Sequence, residues 1–166
     1  MNLTEVLTAD LIPAKQSKRK RIKANYIKSL AVRELETLAM NEAKQLHPDC
    51  PALAPRKFRD DGSNNLTKCV VEYIRLSGGF ASRINNQGTF SFKLNKYIPG
   101  TSKRGLPDII GTHQSGRSMM IEVKANGDKM RPEQEKIKQE QERVNGLFYI
   151  AKNFTDFKTW FDSLVT

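Results

Sequence analysis

Two carboxylates and a lysine stand out in residues 105–124, "GLPDIIGTHQSGRSMMIEVK". If "LPDIIGT" and "SMMIEVK" are the strands of a β-hairpin that turns at Ser115, then Asp108 lies opposite Glu122. Alternation along the second strand puts Lys124 on the face that carries Glu122. Directly opposed side chains have Cβ atoms about 4.5–5.5 Å apart, so two carboxylates there repel unless a cation or a proton lies between them. A hard divalent ion such as Mg²⁺ takes one or two carboxylates together with waters and substrate phosphates, and this pair supplies that minimum. The alternative is a pair of edge residues in salt bridges with Lys124 or Arg104. Removing either carboxylate should leave the fold intact and relieve repulsion in metal-free buffer.

Such a hairpin has to be held by neighbouring elements. Ile109, Ile121 and Val123 project away from the carboxylates while Ile110 and Met120 accompany them, so helices should cover part of both faces. Ahead of the hairpin, "LTKCVVEYIRLSGG" reads as a helix closed by Gly78 and Gly79, both suited to a left-handed backbone. "FASRIN" reads as a strand, followed by a short β excursion and a basic, glycine-punctuated loop with Lys93, Lys96, Lys103 and Arg104. Beyond the hairpin, Pro132 opens a helix running to about Val144, "GLFYIAK" is a buried strand, and "FTDFKTWFDSLV" is a terminal helix. The order is α, β, β, β, α, β, α. Nearer the amino terminus, Ile27, Leu30, Ala31, Leu35, Leu38, Ala39 and Leu46 predict an amphipathic helix over residues 24–45. A proline-rich linker follows it. The helix stripe can pack on the chain's own core or on a second copy in a homodimer.

At 166 residues the chain accommodates one domain and an extension. Lys and Arg outnumber Asp and Glu by 28 to 18, which favours a polyanionic partner such as nucleic acid. "KQSKRKRIK" concentrates that charge: Lys18, Arg19, Lys20 and Arg21 are candidates for phosphate contact, a solubilising patch being the alternative. No apolar run approaches the roughly 20 residues of a membrane span, and the amino terminus lacks the order of a signal peptide. The reading is cytoplasmic, with no membrane partner. Cys50 and Cys69 form no CxxC pair, and with His47 and His113 they match no compact zinc spacing, so reduced thiols are expected.

In this order, "GLPDIIG", "IEVK" and "RPEQ" resemble the VRR-NUC family of the PD-(D/E)XK nuclease superfamily, in its phage and bacterial stand-alone form. "RINNQG" resembles the strand that precedes the family's GxPD loop. The likeness covers residues 66–152. It implies an α/β fold: a restriction-endonuclease-like αβββαβ core, a mixed central sheet flanked by helices, at residues 63–166. Residues 1–62 are then a basic, helical extension and linker. The resemblance implies a metal-dependent DNA endonuclease, selective for branched, flap or junction DNA, acting in repair or recombination, and in the host cytoplasm if phage-encoded. A non-catalytic nucleic-acid-binding protein that kept the fold is the alternative. Asp108 and Glu122 would hold Mg²⁺ or Mn²⁺ with the backbone carbonyl of Val123, Lys124 would orient or activate water, and Gln134 would brace the site. Where relatives carry a glutamate in the first helix this chain has Asn65, leaving Glu72 as either a substitute ligand or an exposed helix residue. Arg83, Lys103 and Arg104 join the basic run as candidate DNA contacts.

Overall fold

The computed structural model describes residues 26–84, 88–98, 103–124 and 127–165. The basic run with Lys18, Arg19, Lys20 and Arg21 lies outside them. Helix α1, Leu30–Leu46, begins where the Ser29 hydroxyl accepts the Val32 N–H, a capping contact the sequence pattern did not locate. Its inward face is Ala31, Val32, Leu35 and Ala39, whereas Ile27, Leu30, Leu38 and Leu46 are exposed. The expected stripe is therefore corrected in phase and in start, and its inner half packs on the chain's own core.

The second half of the segment 47–62 is tied down. The Phe58 N–H donates to Glu36, the Tyr26 hydroxyl donates to Asp60, and the Cys69 thiol donates to the Arg59 carbonyl. Helix α2, Ser63–Leu76, follows at once, three residues earlier than its first apolar residue, Leu66, suggested. Its end is closed by Gly78 at φ +82°, and of the glycine pair only Gly78 adopts the left-handed conformation.

A four-stranded sheet runs in the order β1 (Phe80–Arg83), β4 (Ile109–Thr112), β5 (Ser118–Val123), β6 (Leu147–Ala151). The first two pairings are antiparallel and the last is parallel, so the sheet is mixed. Strands β2 (Thr89–Ser91) and β3 (Lys96–Ile98) form a separate hairpin inserted between β1 and β4. Helix α3 (Pro132–Arg143) crosses over between the parallel pair β5 and β6, and α4 (Phe154–Asp162) with a 3₁₀ turn (Ser163–Val165) ends the chain. The β4–β5 register pairs Ile109 with Ile121 and Thr112 with Ser118, which is the pairing about Ser115 expected from the sequence.

Alternation along β5 divides the layers. Met119, Ile121 and Val123 enter one apolar cluster with Val32 and Leu35 of α1, Leu66, Val70 and Ile74 of α2, and Phe154, Phe157 and Phe161 of α4. Each of those phenylalanines is essentially fully buried, worth about 1.5–3 kcal/mol apiece in water-to-core transfer as an upper estimate. Glu122 lies on the opposite face, where α3 packs through Gln134, Ile137 and Gln141. Gln141 Nε2 donates to the Ser118 carbonyl at 3.0 Å, anchoring the far end of α3 on β5. Among the described residues no helix is long and apolar enough to cross a membrane.

Candidate active site

Proline at 107 breaks the β4–β5 ladder, because it has no N–H to offer. The ladder stops at Ile109, and Asp108 takes over with its side chain: Oδ2 accepts the Val123 N–H at 3.0 Å. On its other flank the Asp108 carbonyl accepts the Ile84 N–H at 2.8 Å, just past β1. The backbone is thus bonded to one neighbouring strand and the carboxylate to the other, which fixes the half-buried side chain at the mouth of the split. N–H and C=O of a strand residue point to the same side, so the Val123 carbonyl also faces this split. Continuing the register puts Pro107 opposite it, and proline has no donor to give.

Glu122 is 4% exposed. Its Oε1 lies 2.9 Å from the ammonium of Lys124, itself 6% exposed, and accepts a hydrogen bond from Gln134 Nε2. Burial pushes the Glu122 carboxyl above its ordinary range and the Asp108 charge adds to that push, while bonds from Lys124 and Gln134 oppose it. A carboxylate in this position is short of positive charge.

Gln134 is oriented by the start of α3. The Arg131 N–H donates to Gln134 Oε1 at 3.0 Å, half of a capping box, so the amide NH₂ must face Glu122. The sequence reading placed Gln134 in the first turn without this reason for its type, although "RPEQ", with proline at the first helical position and glutamine at the third, carries the signal. Gly105 brings the pieces together. It has φ +86°, and a Cβ there would sit 2.6 Å from the Glu133 carbonyl, so the GLPD loop and the first turn of α3 touch only because residue 105 has no side chain.

Asp108, Glu122, Lys124 and Gln134 therefore converge. Glu72 does not join them: it pairs with Arg56 at 2.6 Å and Arg75 at 2.8 Å, in a cluster that includes Glu42. Among the described residues no three His, Cys, Asp or Glu side chains gather, which corrects the suggestion of Glu72 as a third side-chain ligand. Asn65 donates to Asp61. The thiols stay apart, Cys50 exposed and Cys69 buried with its thiol pushed up to about 12, and His113 packs on Phe161. Of the candidate DNA contacts, Arg83 donates to Asn64 at 2.7 Å, Lys103 pairs with Glu140 at 2.9 Å, and Arg104 is exposed. An open groove lined by Lys138, Tyr149, Lys152 and Asp156 lies along β6 and includes none of the four converging residues.

Residues 86–154 match the family model described as the VRR-NUC domain. Neither the search of curated proteins nor that of solved structures returned a match. The matched segment takes in the β2–β3 hairpin, the GLPD loop and all four converging side chains, and it leaves α1, α2 and β1 outside. Over residues 86–154, less than half of its length, the chain is similar to the VRR-NUC domain, a likeness that suggests a nuclease-type, nucleic-acid-processing function.

Proposed function

We propose that this protein is a divalent-metal-dependent DNA endonuclease of the PD-(D/E)XK type, with a preference for branched, flap or junction DNA. The observation that carries the proposal is the convergence of Asp108, Glu122, Lys124 and Gln134 at the point where β4 and β5 part. The donor set suits Mg²⁺ or Mn²⁺: two carboxylates and one backbone carbonyl, that of Val123, all oxygen, a set that water and phosphate oxygens would complete. A bound ion would lower the pKa of a coordinated water and neutralise charge building on the phosphate.

The chain's own residues do the positioning. The Val123 N–H holds one Asp108 oxygen and so sets the direction of the other. Two donors, the Lys124 ammonium and the Gln134 amide, stabilise the Glu122 carboxylate against the burial that raises its pKa. Lys124, anchored by Glu122, presents a buried positive charge that can orient a water for attack on phosphorus and offset the developing negative charge. Gln134 acts through Glu122 as a positioning residue. Phosphate binding falls to Arg104 and to the basic run with Lys18, Arg19, Lys20 and Arg21. Among the described residues no separate base-reading module accompanies the core, so selectivity should come from DNA shape and backbone. A non-catalytic DNA-binding protein on the same fold remains the rival reading, and the presence of all four residues favours the enzyme.

The test is cleavage of a four-way junction, a flap and the matched linear duplex with Mg²⁺ and with Mn²⁺. Wild type should cut the branched substrates faster, and Asp108→Asn, which keeps an acceptor for the Val123 N–H, should cut none. Wild-type rates in Asp108→Asn, after exclusion of contaminating nuclease, would remove the site. Equal rates on all three substrates would remove the selectivity.

A further inference from the structure

The inserted hairpin is a two-stranded sheet separate from the four-stranded one. Thr89 pairs with Ile98, Phe90 with Tyr97 and Ser91 with Lys96, and residues 92–95 make the turn, with Asn95 at φ +46°. Phe90 and Tyr97, directly opposed, share a face. Phe92 joins them with its ring edge-on to Phe90, centroids 5.3 Å apart. These rings are not core: Phe90 is 44%, Tyr97 59% and Phe92 91% exposed. Leu94 and Ile98 are exposed as well. An apolar surface of this kind calls for an occupant.

Charge identifies it. Residues 73–107 contain no Asp or Glu, in a chain that has 18 acidic residues in 166; Arg75 and Lys103 pair with acidic residues elsewhere, and Lys93, Lys96 and Arg104 are exposed. Lys93 follows Phe92 directly, and Lys96 precedes Tyr97. A protein partner for an apolar patch would be served by either sign of charge, whereas aromatic faces interleaved with lysines in an acid-free segment match unpaired nucleotides, which offer a flat ring and a phosphate at each step. The hairpin ends ten residues before Asp108, within about 35 Å of extended chain.

We propose that the β2–β3 hairpin is a binding site for unpaired bases, with Phe92 as the principal stacking residue, Phe90 and Tyr97 as the platform beneath it, and Lys93, next to Phe92 in the turn, on the adjoining phosphate. This extends the nucleic-acid reading above and explains a preference for branched DNA, since junctions and flaps expose unpaired bases and linear duplex does not. It depends on nucleic-acid binding and not on hydrolysis.

The experiment measures fluorescence anisotropy of a labelled oligothymidine and of a labelled blunt duplex with full-length protein in EDTA, so that no strand is cut. Phe92→Ala, Phe92→Leu and Phe92→Trp are compared with wild type, and solution mass is recorded for each. Loss of one base-stacking residue should weaken oligothymidine binding about fivefold to 100-fold in Phe92→Ala and Phe92→Leu, with duplex binding unchanged. Phe92→Trp should bind like wild type and show indole quenching beyond that of Trp160. Unchanged oligothymidine binding in Phe92→Ala would overturn the proposal, and so would equal loss on both probes or full binding by Phe92→Leu. A dimeric wild type that becomes monomeric in Phe92→Ala would overturn it too, assigning the face to a second copy. Because binding is read without cleavage, an inert enzyme with intact stacking would refute hydrolysis alone.

Discussion

Glu122→Ala should damage the fold as well as the chemistry, and the size of the effect follows from the burial of its partner. The Lys124 ammonium is almost wholly removed from water and lies 2.9 Å from Glu122 Oε1. Deleting the carboxylate leaves a buried cation without that counter-charge, at a cost of about 3–5 kcal/mol. Relief of repulsion with Asp108 offsets part of it, but burial, not Asp108, is the larger cause of the raised Glu122 pKa. The expectation that removing either carboxylate leaves the metal-free fold intact therefore fails for Glu122. Against a total stability of about 5–15 kcal/mol, and with a urea slope of about 2 kcal/mol per molar, the unfolding midpoint should fall by about 2 M. Lys124→Met should cost less, about 1–2 kcal/mol, because the remaining carboxyl can protonate and keeps its bond from Gln134. The double variant should cost well under the sum of the two. Urea unfolding in EDTA, followed by circular dichroism, measures all three. An unmoved midpoint in Glu122→Ala, or simple additivity in the double variant, would refute the buried pair. Glu122→Gln, which retains an acceptor for both donors, is for this reason the better probe of cleavage.

The remaining predictions concern the same neighbourhood. Because the Glu122 pKa is raised in the fold, the native state binds more protons than the unfolded chain once pH exceeds the ordinary glutamate value; metal-free protein should lose stability as pH rises from there through the raised pKa, and Glu122→Gln should flatten that profile in thermal melts. Gln134→Glu keeps the acceptor for the Arg131 N–H but sets a second carboxylate against Glu122, so cleavage should drop more steeply than in Gln134→Ala, while Gln134→Ala loses about 0.5–2 kcal/mol of helix capping. Gly105→Ala should destabilise by at least 1 kcal/mol and lower cleavage without touching a charged group, since it forces the GLPD loop off α3; a wild-type melting temperature would exclude that contact. Deleting residues 1–23 should weaken DNA binding uniformly and flatten its salt dependence, each lost phosphate contact removing about 0.9 from the slope of log K against log salt.

How far the site could be read from sequence depends on which rule fixed each residue. The pairing of Ile109 with Ile121 was legible because parity leaves little freedom: one slip would have driven Met119, Ile121 and Val123 out of the core and Glu122 into it. The α1 face was not legible to the same degree. Its apolar residues spread over more than half the helix circumference, and which of them turn inward depends on α2 and α4, so Val32 was overlooked and Leu38 wrongly included. Glu72 illustrates a second limit, since its fate is decided by Arg56, sixteen positions upstream in a stretch read as linker. The catalytic-looking motif hid its structural reasons in the same way. Pro107 removes a ladder donor, Asp108 caps the Val123 N–H, Gly105 admits the first turn of α3, and that turn's capping box aims Gln134 at Glu122. Each of these residues would be wanted by the backbone even in the absence of chemistry. Their types alone therefore do not separate a nuclease from a binding protein built on its fold, and neither does the buried Lys124–Glu122 pair, which also holds the strand end; cleavage by Asp108→Asn and Glu122→Gln against wild type does.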